Sequence, residues 1–214
     1  MSKSYAAFLF DMDGTLITSV AAAERVWAKW GKKHGVDLAV LMPIIHGVRA
    51  IDTVRALNRP DIDAAAEAQA IEAAEIADVQ DVSIIPGATA FLASLPPGRW
   101  AVVTSATLPL ASARLGAADI ALPPVSITAE DVTRGKPDPQ GYKLAAQRLG
   151  VDPADCLVFE DAPAGIAAGE AAGADVMVVT ATHSHPIGGD RMSIKDYRDL
   201  SVEVGADGRL TLIE

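Results

Sequence analysis

Four short groups of reactive side chains stand out along the chain. Asp11 and Asp13 lie in Phe10-Asp11-Met12-Asp13-Gly14-Thr15, Thr104 and Ser105 follow Val103, Lys136 lies in Arg134-Gly135-Lys136-Pro137-Asp138-Pro139, and Glu160-Asp161 precede Ala162-Pro163-Ala164-Gly165. Residues two apart on extended chain point to the same side, so both carboxylates of the first group can address one site. Two close carboxylates repel unless a cation lies between them or one holds a proton. That combination suits an ionised nucleophile beside a general acid, and Gly14 lets the chain turn sharply after them. Taken alone, Asp-x-Asp-Gly is equally at home as a pair of turn or capping aspartates. An Asp-rich calcium loop is disfavoured, because its further ligands and closing Glu are missing.

The other groups carry complementary chemistry. Hydroxyl and backbone N–H groups of Thr104 and Ser105, at a strand end that opens a helix, form an anion site, although ordinary N-capping explains them as well. Lys136, held between Gly135 and Pro137, can neutralise a phosphoryl oxygen and the nucleophile's charge, whereas a lone loop lysine is usually solvated. Glu160 and Asp161 end a buried run, where two acids are costly unless they meet a cation. Mg²⁺ favours carboxylates, water and phosphate oxygens. The convergence of acids, hydroxyls, a lysine and acids again is what the separate structural explanations leave unaccounted for.

The elements that must position these groups read as an open α/β sheet. Apolar runs at 6–10, 100–103, 157–159 and 176–179, with a weaker one at 125–128, predict buried parallel strands. Between them lie helical patterns at 86–95, at 139–149 with Asp138 as N-cap and Pro139 at the first helical position, and at 162–172 closed by Gly173. This alternation predicts a Rossmann-like parallel sheet with right-handed crossovers, whose ligands bind beyond the carboxyl ends of its strands. Residues 17–83 break the pattern. Val20, Ala23, Trp27, Trp30 and His34 form a helical stripe, 63–78 is Ala- and Glu-rich, and Arg59-Pro60-Asp61 separates helices. An all-helical insertion over 17–83, within a core of 1–16 and 84–214, follows. The segment 201–214, with Gly205-Ala206-Asp207-Gly208 at its centre, predicts a terminal hairpin.

Composition narrows the classes. Half of the 214 residues are apolar and the formal net charge is −10, which argues against nucleic acid or anionic membrane as partners. Cys156 is the single cysteine, so no internal disulfide forms, and its apolar surroundings predict an inert core thiol. Without a recognisable signal peptide or a run of about 18 apolar residues, the default expectation is a cytoplasmic protein, monomeric or a small homo-oligomer. Trp27 and Trp30 read as core of the insertion, His34 as a helix-end charge or surface residue, and Glu67, Glu72 and Glu75 as a solvated face. His183-Ser184-His185-Pro186 reads as a loop at the site entrance rather than a metal site.

In their order and spacing, Asp11-x-Asp13-Gly14-Thr15, Thr104, Lys136-Pro137 and Glu160-Asp161 resemble the four motifs of the haloacid dehalogenase-like hydrolases. Phe159 to Gly169, together with Val103-Thr104-Ser105 and Gly135 to Pro139, is similar to the sugar-phosphatase and glycerol-phosphatase branch, and His46-Gly47 through Ala50-Ile51 to its cap. The resemblance implies an Mg²⁺-dependent phosphatase acting on a small phosphorylated metabolite such as a sugar, hexitol or glycerol phosphate. Asp11 would form an aspartyl phosphate, Asp13 would act as general acid and base, Thr104 and Ser105 would hold phosphoryl oxygens, and Lys136 would screen charge. Asp11, the Asp13 carbonyl and Asp161 would bind the metal, with Glu160 supporting that shell. The insertion would be a mobile cap, with Gly47, Val48 and Arg49 on its substrate-facing loop. Val48 and Arg49 depart from the pattern of that branch; a contact to sugar hydroxyls, a contact to a second anion and a solvated arginine all stay open for Arg49. A sugar phosphomutase shares these motifs. A dehalogenase should lack Asp13. A phosphonate-cleaving enzyme needs a cap lysine, and Lys29, Lys32 and Lys33 sit in no recognisable motif. A non-catalytic binding protein is disfavoured because every catalytic position is filled.

Overall fold

The computed structural model of the chain describes residues 3–183 and 189–213. Its main sheet contains β2 (Ala7–Phe10), β3 (Trp100–Val103), β4 (Ser126–Ile127), β5 (Cys156–Glu160), β6 (Asp175–Val179) and β7 (Ser193–Ile194), in the order β4-β3-β2-β5-β6-β7. Every neighbouring pair in this sheet is parallel. A second sheet joins β1 (Ser4–Tyr5), β9 (Leu210–Ile213) and β8 (Ser201–Val204) in antiparallel pairs. The expected terminal hairpin is thus present, and β1 extends it. The sequence marks neither β1 nor β7: each spans two residues and, unlike β4, lies in no apolar run of its own.

Strand β2 carries apolar residues to both faces, because the parallel sheet is covered on both. Phe8 and Phe10 enter one core with Phe91, Phe159 and Tyr197, while Ala7 and Leu9 enter the other with Val158 and Tyr142. Phe10 and Phe159 stack with centroids 4.6 Å apart. Four helices belong to this α/β part: α5 (Ala88–Ser94), α6 (Leu108–Ala117), α7 (Gln140–Leu149) and α8 (Pro163–Ala172). Gly173 ends α8 in the left-handed region at φ 92°, as its position predicts. Helix α7 begins one residue later than expected. Pro139 is its N-cap, and the Asp138 carboxylate accepts from Gln140 N at 3.0 Å.

Between β2 and α5 the chain holds four further helices, α1 (Val20–His34), α2 (Leu38–Ile45), α3 (Ala50–Ala56) and α4 (Ala64–Ala77). They surround an apolar cluster of their own, including Val26, Trp27, Trp30, Leu41, Ile45 and Ile71. Trp27 and Trp30 meet edge-to-face at 5.6 Å, in keeping with a core role. The supposed solvated face of glutamates is corrected. Glu75 is 7% exposed, Glu72 accepts from Thr107 Oγ1 at 2.6 Å, and Glu67 accepts from Trp30 Nε1 at 2.9 Å. Each meets a donor that lies far away in sequence. His34 is half-buried against the Trp30 ring, with Nε2 3.1 Å from Glu67, rather than a free helix-end charge. Among the described residues no helix is long and apolar enough to cross a membrane.

Candidate active site

From β2 the chain passes to β3 on one side and later to β5 on the other. The strand order therefore reverses at β2, and a crevice opens beyond its carboxyl end. Asp11 follows β2, Thr104 follows β3, and Glu160 and Asp161 end β5, so three of the four groups are delivered to this switch point by register alone. Lys136 arrives from the loop before α7. Its Nζ lies 2.5 Å from Asp11 Oδ1, 2.7 Å from Glu160 Oε1 and 3.0 Å from the Val103 carbonyl. All three ammonium protons are thereby directed, and the lysine is buried rather than solvated.

Glu160 is fully buried and saturated with donors. Oε1 accepts from Lys136 and from Tyr142 Oη at 2.8 Å, and Oε2 accepts from the N–H groups of Asp161 and Ala162 at 3.0 and 3.1 Å. Gly165 makes room for it, since a Cβ there would stand 1.6 Å from Oε1. Tyr142 is a member of this network that sequence reading missed; as an aromatic on the buried face of α7, it looked like core.

Oxygen ligands of Asp11, Glu160 and Asp161 lie within 4.8 Å of one another, all buried. Burial pushes the Asp11 carboxyl well above its ordinary range; Lys136 opposes this, and Glu160, Asp161 and Asp13 add to it. Burial likewise pushes Asp161 up to about 6, against the pull of His183. Burial favours deprotonating Lys136, but Asp11 and Glu160 outweigh it and hold the ammonium charged. One lysine thus faces three crowded acids, a donor set and charge imbalance that fit a hard divalent cation. Gly14 is indispensable here: it sits at φ 84°, and a Cβ would fall 1.9 Å from Asp161 Oδ2. His183 Nε2 stands 3.5 Å from Asp161 Oδ2, which brings this one residue of the expected entrance loop to the acidic cluster. Ser184, His185 and Pro186 lie outside the described residues.

Donors for an anion gather at the same point. Thr104 Oγ1 accepts from Ala106 N at 3.0 Å, which leaves its own proton to donate. Among the described residues, the backbone N–H groups of Met12, Asp13 and Ser105 have no hydrogen-bond partner. The Ser105 hydroxyl instead donates to the Gly47 carbonyl at 2.8 Å, tying the core to the helical insertion.

Above Asp11 and Asp13 lies a cavity of about 360 Å³ whose walls include Trp27, Gly47, Val48, Arg49, Gln69, Glu72, Ser105 and Asp161. Arg49 is not the solvated side chain that was one of its readings. Nε donates to Asp52 at 2.6 Å, and Nη1 and Nη2 donate to the carbonyls of Val132 and Thr133 at 3.1 and 3.2 Å. Gly135 permits this approach, since a Cβ there would lie 2.7 Å from Arg49 Nε. Arg114 was also missed. It is 5% exposed, and its Nη1 donates to Asp13 Oδ1 at 3.0 Å. Its position mid-helix, 101 residues from Asp13, carried no signal.

A buried nucleophile-and-lysine pair at a sheet switch point, ringed by acids and anion donors, defines a phosphoryl-transfer enzyme of the α/β class. Residues 5–173 match the family model of the haloacid dehalogenase-like hydrolases, and the chain belongs to that family. It is 43% identical over 183 residues to hexitol phosphatase A of Escherichia coli, covering 84% of this chain and 85% of that protein. Identity to 2-deoxyglucose-6-phosphate phosphatase 2 of Saccharomyces cerevisiae is 36% over 202 residues, with coverage of 84% and 81%. Among solved structures, a hydrolase from Pseudomonas syringae superposes with a TM-score of 0.76 at 26% identity, covering 86% of this chain and 88% of that one. The chain is a phosphoric monoester hydrolase on the sugar-phosphatase branch of its family.

Proposed function

We propose that the chain is an Mg²⁺-dependent hydrolase of a small sugar, hexitol or glycerol phosphate that works through an aspartyl phosphate on Asp11. The observation that carries this reading is the buried Lys136–Asp11 contact of 2.5 Å beside Asp161. Substrate enters the cavity beneath the helical insertion, which acts as a cap spanning residues 17–83. Its phosphoryl oxygens meet the Thr104 hydroxyl and the N–H groups of Met12, Asp13 and Ser105, and the Lys136 ammonium beside Asp11 screens their charge. An Asp11 carboxylate oxygen attacks phosphorus, the bond from phosphorus to the alcohol oxygen breaks, and Asp13 gives that oxygen its proton. Asp13, now a carboxylate, takes a proton from water. The hydroxide attacks the phosphoryl group, releasing inorganic phosphate and restoring Asp11. Asp11, Asp161 and the Asp13 carbonyl are the residues that would hold Mg²⁺, and the ion would neutralise phosphoryl charge; Glu160, its four hydrogen bonds spent on Lys136, Tyr142 and two backbone N–H groups, acts through the lysine instead of supporting the metal shell.

A hydrolase is favoured over a mutase by the cavity's charge. Of its lining arginines among the described residues, Arg49 is committed to Asp52 and two carbonyls, and Arg114 to Asp13. The acids Glu72 and Glu130 on the same lining repel the second phosphate of a bisphosphate intermediate, whereas Gln69 suits a neutral polyol. The test is phosphate release from a panel of sugar, hexitol and glycerol phosphates with Mg²⁺. Wild-type protein should release inorganic phosphate without forming an isomeric sugar phosphate, and Asp11→Asn should lose at least about a thousandfold in kcat while remaining folded. Substantial Mg²⁺-dependent turnover by Asp11→Asn would sink the proposal.

A further inference from the structure

Arg114 lies on α6, yet its guanidinium reaches two other parts of the fold. Nη1 donates to Asp13 Oδ1 at 3.0 Å, and Nη2 lies 3.3 Å from Oε1 of Glu75 on α4 of the helical insertion. Both partners of the Arg114–Glu75 pair are more than nine-tenths buried. Holding two ionised groups there is costly unless the geometry is put to use. The Nη2 contact to Glu75 is an ion pair without hydrogen-bond geometry, Nε has no hydrogen-bond partner among the described residues, and the side chain borders the cavity over Asp11. On the other side Ser19 Oγ donates to the same Oδ1 of Asp13. Both donors thus fall on one oxygen of Asp13, and neither uses Oδ2.

Two donors on Oδ1 define the plane and direction of the carboxyl. A proton to be delivered to a leaving oxygen then sits on Oδ2, the oxygen they leave free. We propose that Arg114 is a positioning residue that aims Asp13 at the leaving-group oxygen, and that Glu75 makes this aim depend on the seating of the helical insertion. Substrate closure would thereby set the acid at the moment its proton is needed, and an unseated insertion would leave Arg114 without one of its two anchors. The inference rests on Asp13 being the general acid, and the experiment separates the two.

Departure of an alkoxide needs a proton, whereas 4-nitrophenolate leaves without one. kcat/KM reports only the steps up to departure of the leaving group, so later hydrolysis of the phosphoenzyme does not enter. Comparing kcat/KM for glycerol or hexitol phosphate with that for 4-nitrophenyl phosphate therefore isolates proton donation. Arg114→Gln should lose about a hundredfold on the alkyl phosphate and less than about fivefold on the aryl one. Glu75→Gln, nearly isosteric and able to fold if Arg114→Gln does not, should show the same bias at about tenfold. Arg114→Lys should recover part of the loss. Asp13→Asn sets the reference: a strong bias there with equal losses on both substrates in the Arg114 and Glu75 variants overturns the positioning role alone. No bias in Asp13→Asn overturns the acid assignment and this inference with it.

Discussion

Glu160 offers the sharpest single test of how the site is built, because two roles predict opposite results for Glu160→Gln. In the structure its carboxylate accepts four hydrogen bonds with no exposure to solvent. An amide is the same size but has one acceptor oxygen. The least costly orientation keeps that oxygen on the N–H groups of Asp161 and Ala162 and turns the NH₂ toward Tyr142 and Lys136. Tyr142 can rotate its hydroxyl to accept; the ammonium cannot. Lys136 thus loses one charge-assisted bond and gains a facing donor, a penalty of roughly 2–4 kcal/mol. For a chain of this size that lowers Tm by about 5–15 °C in a thermal scan. A lysine freed from Glu160 should also lower kcat by about ten- to a hundredfold, while the Mg²⁺ concentration for half-maximal activity escapes the roughly ten- to hundredfold rise that follows loss of a residue supporting the metal ligands. The reasoning is refuted if Tm is unchanged and the Mg²⁺ requirement instead rises tenfold or more, since Glu160 would then act through the metal and not through Lys136.

Three further outcomes follow from the geometry. Gly14→Ala forces a Cβ to within 1.9 Å of Asp161 Oδ2 at a positive φ; it should cost at least about 2 kcal/mol and raise the Mg²⁺ requirement about tenfold or more, read by thermal unfolding and metal titration. Arg49→Ala removes both guanidinium bonds from the helical insertion to the Val132 and Thr133 carbonyls; kcat/KM should fall about tenfold, Tm should fall by roughly 5 °C, and faster amide exchange in α3 should accompany it. Cys156 is buried, and burial with Asp155 and Asp152 nearby pushes its thiol up to about 12; at pH 8 a thiol reagent should label native protein about a thousandfold more slowly than the unfolded chain.

Much of this enzyme was legible in its residues. The apolar runs at β2, β3, β5 and β6 are continuous because both faces of the sheet are buried, and that same burial gave the acids and hydroxyls at their ends a common address. Local signals sufficed wherever one residue type answers one local demand, as with Gly173 closing α8 or Gly14 turning the chain after Asp13. The roles of Tyr142, Arg114, Glu75 and Arg49 were out of reach for one reason: each depends on a partner brought in by packing. Tyr142 reaches Glu160 because α7 packs across β2 and β3 and against α8, and Arg114 meets Asp13 because α6 passes the loop after β2. A glutamate on α4 reads as solvated by pattern, since helical periodicity records which face is apolar and is blind to a buried arginine on another element. Asp11 could therefore be picked out from sequence alone, by type, spacing and strand. The ammonium 2.5 Å from its oxygen, the carboxylate that holds that ammonium, and the arginine that turns its neighbour Asp13 were decided by the tertiary structure, because only the fold sets distances between residues 24 to 125 positions apart.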